Sequence, residues 1–208
     1  MRFIYVVDTE TTTTEWHSEK YNGDPDGHIV EIGIVLLDLE TGRTWVIAHR
    51  GFNDPDATGE EWVYKNTDLP MRESFRMSWE EADEDLCDHI RTVGKRDNGF
   101  ICITAFNSSF DRTMIERDLP NFSKHLFWCM DIMMSADRIE DIPRKKHDTI
   151  TGWRSYPSVQ ATWDYLFPDD PQTEKHRALD DAIQEAKICY ELRKRGLYEL
   201  PYDGVDVL

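Results

Sequence analysis

Five apolar residues open the chain, Phe3-Ile4-Tyr5-Val6-Val7, and run without a break into the polar series Asp8-Thr9-Glu10-Thr11. A short continuous apolar run bounded by polar residues predicts a buried central strand. A loop follows from about residue 15 to 27, marked by its Gly, Asp and Pro. His28 to Leu37 is β-branched and apolar and predicts a second core strand. Asp38 to Gly42 supply a hairpin turn, and Arg43 to Ala48 return as a third strand. Residues 53–76 are polar and aperiodic, which is the pattern of a long loop. Ser78 and Glu81 have the spacing of a capping box. Beyond them Trp79, Ala82, Leu86, His89, Ile90 and Val93 recur as one face of a helix ending near Val93.

The second half repeats the alternation. Phe100 to Phe106 reads as a fourth strand, and the helix after it is capped by Asn107 or by a following serine. Leu126 to Met130 reads as a short fifth strand leading into a helix from about Asp131 to Ile139. A basic loop, Arg144 to His147, separates it from a helix over Ser158 to Phe167. Pro168 to Pro171 break the chain, and the last helix runs from about Lys175 to Arg195. Strands alternating with helices, without repeat or linker, describe one α/β domain over 1–208. Its core spans about 3–195, and a loosely held tail covers about 196–208.

Composition narrows the class. A chain of 208 residues with 39% hydrophobic content can bury one sizeable core. The amino-terminal apolar run is too short for a signal peptide or a membrane span. Cys87, Cys102, Cys129 and Cys189 are widely spaced with no Cys-x-x-Cys pair, so they read as small core residues in a reducing, cytoplasmic compartment without a membrane. The formal charge of −17 argues against strong sequence-independent binding of polyanions. It does not exclude a nuclease, because divalent cations held by carboxylates invert the local field. The basic clusters, Arg91 with Lys95 and Arg96, Arg144-Lys145-Lys146 and Arg193-Lys194-Arg195, read first as solvated helix ends and loops.

Chemistry concentrates at three points. Residues two apart on a strand project to one side, so Asp8 and Glu10 sit together at a strand end, where a hard divalent cation would relieve their repulsion. Taken alone, Asp-x-Glu does no more than end a strand. Asp111 falls just past the fourth strand in a first helical turn, where the helix dipole by itself favours a carboxylate. His176-Arg177-Ala178-Leu179-Asp180-Asp181-Ala182 places a histidine ahead of an acidic pair on an Ala-rich helix. At about 100° per residue, Asp180 and Asp181 flank the apolar face formed by Ala178, Leu179, Ala182, Ile183, Ala186, Cys189 and Tyr190. Asp181 lies on the edge with the small side chains, where close approach to the sheet is easiest, and is the better ligand candidate.

Val7-Asp8-Thr9-Glu10-Thr11-Thr12, Ala105-Phe106-Asn107-Ser108-Ser109-Phe110-Asp111 and His176 to Ala182, in that order and separation, resemble the motifs of the DnaQ-like (DEDDh) 3′–5′ exonucleases of the RNase H-like superfamily. Asp131 resembles a structural aspartate after that family's fifth strand. The resemblance implies an RNase H-like fold, with a central mixed five-stranded sheet flanked by helices. It implies two divalent ions, Mg²⁺ or Mn²⁺, held by Asp8, Glu10, Asp111 and Asp181. The histidine precedes the ligand by five in that family, which selects Asp181 over Asp180 and makes His176 the general base. An imidazole, with an ordinary pKa of about 6.5, suits that role. Thr11, Thr12, Asn107 and Phe110 are the implied contacts to the terminal nucleotide. The family's usual glycine after the paired threonines is replaced here by Thr13 and Thr14.

The expected activity is removal of nucleotides from the 3′ end of nucleic acid, single-stranded DNA first, in proofreading or DNA maintenance, with a DNA polymerase as a partner. An exoribonuclease of the same fold is the alternative. A third is a non-catalytic acidic protein that binds a polymerase or mimics DNA. Long polymers would be engaged mainly through their ends, with help from the Arg144-Lys145-Lys146 loop.

Overall fold

Strand β1 (Phe3–Thr11) is the middle of the sheet, and its uninterrupted apolar run is explained by helices on both of its faces. The computed structural model describes residues 2–12, 27–52, 59, 61–67, 69, 76–93, 101–145 and 154–200. β1 pairs antiparallel with β2 (Ile29–Asp38), which pairs antiparallel with β3 (Thr44–Phe52). After the short helix α1 (Trp62–Asn66), the two-residue β4 (Arg76–Met77) adds parallel to β3. On its other side β1 runs parallel to β5 (Ile101–Thr104), and β5 parallel to β6 (Leu126–Trp128). The order is β4-β3-β2-β1-β5-β6. The five expected strands form a mixed sheet, and β4 extends its edge.

Strand periodicity sorts the two cores. Ile4 and Val6 meet α5 (Ile132–Ala136), α6 (Val159–Leu166) and α7 (Ala178–Lys194) through Ile132, Trp163, Ala182, Ala186 and Cys189. Tyr5 and Val7 face the opposite way, toward α2 (Trp79–Val93), α3 (Ser108–Asp118) and α4 (Pro120–Ser123), with Leu86, Met114, Ile115 and Phe122. The capping box is present: Glu81 N donates to Ser78 Oγ at 3.2 Å and Ser78 N to Glu81 Oε2 at 2.9 Å. All four cysteines are free thiols, three of them buried. Among the described residues no helix is long and apolar enough to cross a membrane.

Several local expectations are corrected. The 53–76 stretch holds α1 and β4 among its described residues. The last helix begins at Ala178 rather than Lys175: residues 171–177 carry no regular structure, and His176 takes a left-handed φ of 54°. The helix after β6 is shorter than expected, ending at Ala136. Asn107 stands at the start of α3, but its side chain makes no cap hydrogen bond. Asp131 caps in its place, taking the backbone N–H of Asn107 at 3.1 Å and of Ser108 at 2.7 Å. The stretch up to 200 is not loosely held: Tyr198 and Leu200 are buried in the α7-side core. Arg144 is 6% exposed and turned onto Asp137 at 3.2 Å, so it supports the chain after α5 rather than facing a polymer. The expected loop up to residue 26, the turn at 95–99, Lys146, His147 and positions 201–208 lie outside the described residues.

One contact sets the height of α7 over the sheet. Gly33 pairs with Asp8 across β1 and β2. A Cβ on Gly33 would lie 2.4 Å from the carbonyl carbon and oxygen of Ala178 and from the nitrogen of Leu179. Those are backbone atoms, which cannot swing aside. Gly33→Ala is therefore expected to lift α7 and cost about 1–3 kcal/mol, read by urea unfolding, with weaker divalent-ion binding. Unchanged stability would contradict the close approach.

Candidate active site

The carboxyl end of β1 is where the two halves of the molecule meet. Asp8 and Glu10 continue the parity of Ile4 and Val6 and so face α7. Asp181, in the first turn of α7, is 4% exposed, and it folds back over the entry to its own helix, accepting N–H bonds from Arg177 at 3.1 Å and Lys175 at 3.3 Å. Its neighbour Asp180 turns outward onto Lys175 at 2.8 Å. Ligand atoms of Glu10, His176 and Asp181 lie within 4.8 Å of one another. Asp111 comes from the opposite layer, buried in α3, and is steered over the strand end by the Thr9 hydroxyl, which donates to it at 2.8 Å.

The amino end of α7 is fixed by a buried ion pair. Glu31 of β2 stands directly across from Glu10 in the strand register, an arrangement of like charges that costs stability. Arg177 offsets it, with Nη2 at 2.7 Å and Nε at 3.1 Å from the Glu31 carboxylate, and Ala178 N adds a bond at 3.0 Å. His49 Nε2 lies 2.7 Å from the same group. Burial alone would raise the Glu31 pKa, but these partners hold it at about 2.

The other carboxylates are pushed the opposite way. Burial, then Glu185, Asp111, Glu10 and Asp181, raise Asp8 well above the carboxylate range. Burial followed by Asp181 and Glu31 raises Glu10 to about 8. Burial takes Asp111 to about 7 against the Thr9 hydrogen bond, and burial with Glu174 takes Asp181 to about 6. Carboxylates this close cannot all ionise without a counter-charge.

The structure brings Glu10, Asp181 and His176 within 4.8 Å of one another, with Asp8 and Asp111 near enough to act on these carboxylates electrostatically, and adds two acids absent from the sequence expectation. Glu185, one turn after Asp181, is 2% exposed and accepts the Phe106 N–H at 3.0 Å. Glu174 has Oε1 3.8 Å from His176 Nδ1. A carboxylate in the middle of the apolar stripe of α7 is the signal that would have marked Glu185. The nucleotide-contact candidates divide. Thr11 is buried, and the Thr12 hydroxyl accepts from His28 N at 2.9 Å, so both support the strand end. Phe110 packs partly against the α2–α3 core, and Asn107 sits beside it at the turn into α3. Asn107 and His176, at φ of 70° and 54°, are the two non-glycine residues with positive φ among the described residues. Such conformations are uncommon and gather at functional sites.

By sequence, the chain matches no protein-family model and no curated protein. By structure, it is similar to solved nucleases. The nuclease domain of 3′hExo, a DEDDh family member bound to rAMP, aligns with a TM-score of 0.64 at 16% identity over 96% of each chain. A 3′-exonuclease solved for its 3′-end specific recognition of histone mRNA stem-loop aligns with a TM-score of 0.63 at 14% identity, over 95% of this chain and 84% of that one. E. coli exonuclease I in complex with a dA16 oligonucleotide gives 0.55 at 13% identity, over 95% of this chain and 42% of the larger protein. The resemblance drawn from three sequence blocks is met at the level of the fold, which is the RNase H-like α/β fold of these exonucleases.

A pH dependence follows from the raised carboxylates. Each binds its proton more tightly folded than unfolded, so the metal-free fold gives up stability as pH rises from about 4 toward the value of about 8 reached by Glu10. Glu31 acts oppositely: its contribution is present above its unfolded pKa and lost as pH falls toward about 2. Thermal unfolding of the EDTA-treated protein should show Tm falling between pH 5 and pH 8, with a smaller fall in Asp8→Asn. Added Mg²⁺ should raise Tm more at pH 8 than at pH 5. A Tm at pH 8 indifferent to Mg²⁺ and Mn²⁺ would contradict the cluster.

Proposed function

We propose that this protein is a metal-dependent 3′–5′ exonuclease of the DnaQ-like (DEDDh) kind, hydrolysing phosphodiester bonds at the 3′ end of single-stranded DNA with His176 as general base. What supports the reading is the clustering of Glu10, Asp181 and His176 within 4.8 Å of one another, with Asp8 and Asp111 electrostatically linked to the same carboxylates. The donor set fits Mg²⁺ or Mn²⁺: every ligand is a hard carboxylate oxygen, and the group is short of positive charge. Asp8, Glu10 and Asp181 would hold one ion, and Asp8 with Asp111 the second. Two bound ions supply stabilisation of the attacking and leaving oxygens in an in-line displacement.

The protein's own groups supply the rest. His176 takes the proton from the attacking water, and its left-handed backbone turns the ring toward Glu10 and Asp181. The Glu31–Arg177 pair fixes the helix end from which His176 and Asp181 project. Asn107 and Phe110 meet the terminal nucleotide at the turn into α3. A surface carrying −17 leaves the polymer held mainly at its end, which suits proofreading or DNA maintenance beside a polymerase. An exoribonuclease is the second reading, favoured by the higher TM-scores to the rAMP-bound and stem-loop-recognising enzymes. The metal ligands do not separate the two, since discrimination lies in contacts to the 2′ position.

Purified protein given 3′- and 5′-labelled DNA and RNA oligonucleotides, with and without Mg²⁺, should release mononucleotides from 3′ ends only when metal is present, and faster from DNA. Faster release from RNA would select the second reading, and no metal-dependent product would overturn both. Asp8→Ala and Asp181→Ala should abolish cleavage while still folding. His176→Ala should lower kcat by about 10²–10⁴ with metal affinity retained. Loss of metal binding in that variant would make His176 a ligand instead.

A further inference from the structure

The turn that carries Asp111 into the site is held by two carboxylates from other parts of the chain. Three successive backbone N–H groups, at Phe106, Asn107 and Ser108, all end on side-chain carboxylate oxygens. Asn107, at φ 70°, turns the backbone between the two acceptors. Asp131 occupies one side, taking Asn107 N at 3.1 Å and Ser108 N at 2.7 Å, along with the Ser108 hydroxyl at 2.9 Å. It also caps α5 through Met133 N at 2.7 Å, so its place is fixed by the β6–α5 junction. Glu185 occupies the other side, with Oε2 3.0 Å from Phe106 N. It arrives from α7, one turn beyond Asp181, and is 2% exposed, near enough to Asp8 and Asp111 for their charges to act on one another.

We propose that Glu185 is a positioning residue: by holding the Phe106 N–H it clamps the β5–α3 turn to α7 and so fixes Asp111 opposite Asp8 and Asp181. Asp111 and Asp181 lie on opposite faces of the sheet, on helices whose cores share no member. Thr9 reaches Asp111 from β1. Glu185 ties Asp111's turn to Asp181's own helix. A leucine would fill the volume and leave the Phe106 N–H buried without an acceptor. A glutamine keeps an oxygen at the same reach and removes only the charge. An aspartate keeps the charge one methylene short of the bond.

The consequence for metal binding rests on the exonuclease reading above; the consequence for the turn does not. The test measures amide hydrogen exchange at Phe106, Asn107 and Ser108 by NMR, Mn²⁺ titration, and cleavage of 3′-labelled DNA oligonucleotides, all on the full chain. Glu185→Leu and Glu185→Asp should lose protection at Phe106 and weaken one of two Mn²⁺ ions by about 10- to 100-fold, the range found for supports of metal ligands. Their kcat should fall while KM for the oligonucleotide holds. Glu185→Gln should recover Phe106 protection, both ions and most of kcat. Phe106 protection unchanged in Glu185→Asp would overturn the proposal, whatever happens to cleavage. Loss of an ion in Glu185→Gln with Phe106 protection intact would also overturn it, because Glu185 would then be a ligand. Protection and Mn²⁺ affinity that follow this pattern without any cleavage would overturn the exonuclease reading and leave the positioning role standing.

Discussion

Helix α7 can reach the sheet where it does only because the residue paired with Asp8 has no side chain. Gly33 lets the backbone of Ala178 and Leu179 descend to a distance that a single methyl group would forbid. Glu31 then closes the contact, gathering Arg177, Ala178 N and His49 on one fully buried carboxylate. Breaking one partner of such a group is far costlier than its net contribution, since it leaves a charge in low dielectric. The register of β1 against β2 thus fixes where α7 begins, and that start decides where Asp181 and His176 stand.

With the helix set there, carboxylates are buried together, and their desolvation, followed by mutual repulsion, becomes the chief local cost. Asp8 and Glu10 come from a strand, Asp111 from one helical layer, and Asp181 and Glu185 from the other. Their shared burial raises every one of these pKa values. The fold meets that cost with interactions that are not themselves part of the cluster. Thr9 donates to Asp111, backbone N–H groups donate to Asp181 and Glu185, and Asp131 pins the turn below. The two left-handed residues, Asn107 and His176, sit where these supports converge. A site assembled against its own charge is suited to cations, which would relieve the repulsion.

Much of this was legible in the order of residues, for reasons that differ by element. β1 and β2 announced themselves because both faces are buried and their apolar runs are unbroken. The capping box at Ser78 was legible because it is local, joining residues three apart with no tertiary partner. Asp181 was separable from Asp180 by the small side chains on its edge of the apolar face of α7 and by the resemblance that sets a histidine five residues ahead of the ligand. The misses are tertiary. Asn107 has the side chain of an N-cap but makes no cap bond, and Asp131, 24 positions later, instead anchors the Asn107 and Ser108 N–H groups at the start of α3. Lys175 to Arg177 precede a helix-favouring run, yet Asp181 takes the N–H groups of Lys175 and Arg177 and Glu31 that of Ala178, so the helix starts at Ala178. Tyr198 and Leu200 follow a Gly and precede a Pro like any tail, and only the apolar pocket at the end of α7 shows why they are buried. Glu185 was hidden by its company, a carboxylate among alanines and isoleucines whose partner lies in another layer.

The central claim is that carboxylates from β1, α3 and α7 form one site for divalent cations. Anomalous diffraction at the manganese edge, from crystals soaked in Mn²⁺, tests it most directly. The account expects strong peaks among Asp8, Glu10, Asp111 and Asp181, within bonding distance of their oxygens, and their loss in Asp8→Asn crystals. Well-ordered carboxylates with no anomalous density between them, or manganese bound only elsewhere on the surface, would contradict it.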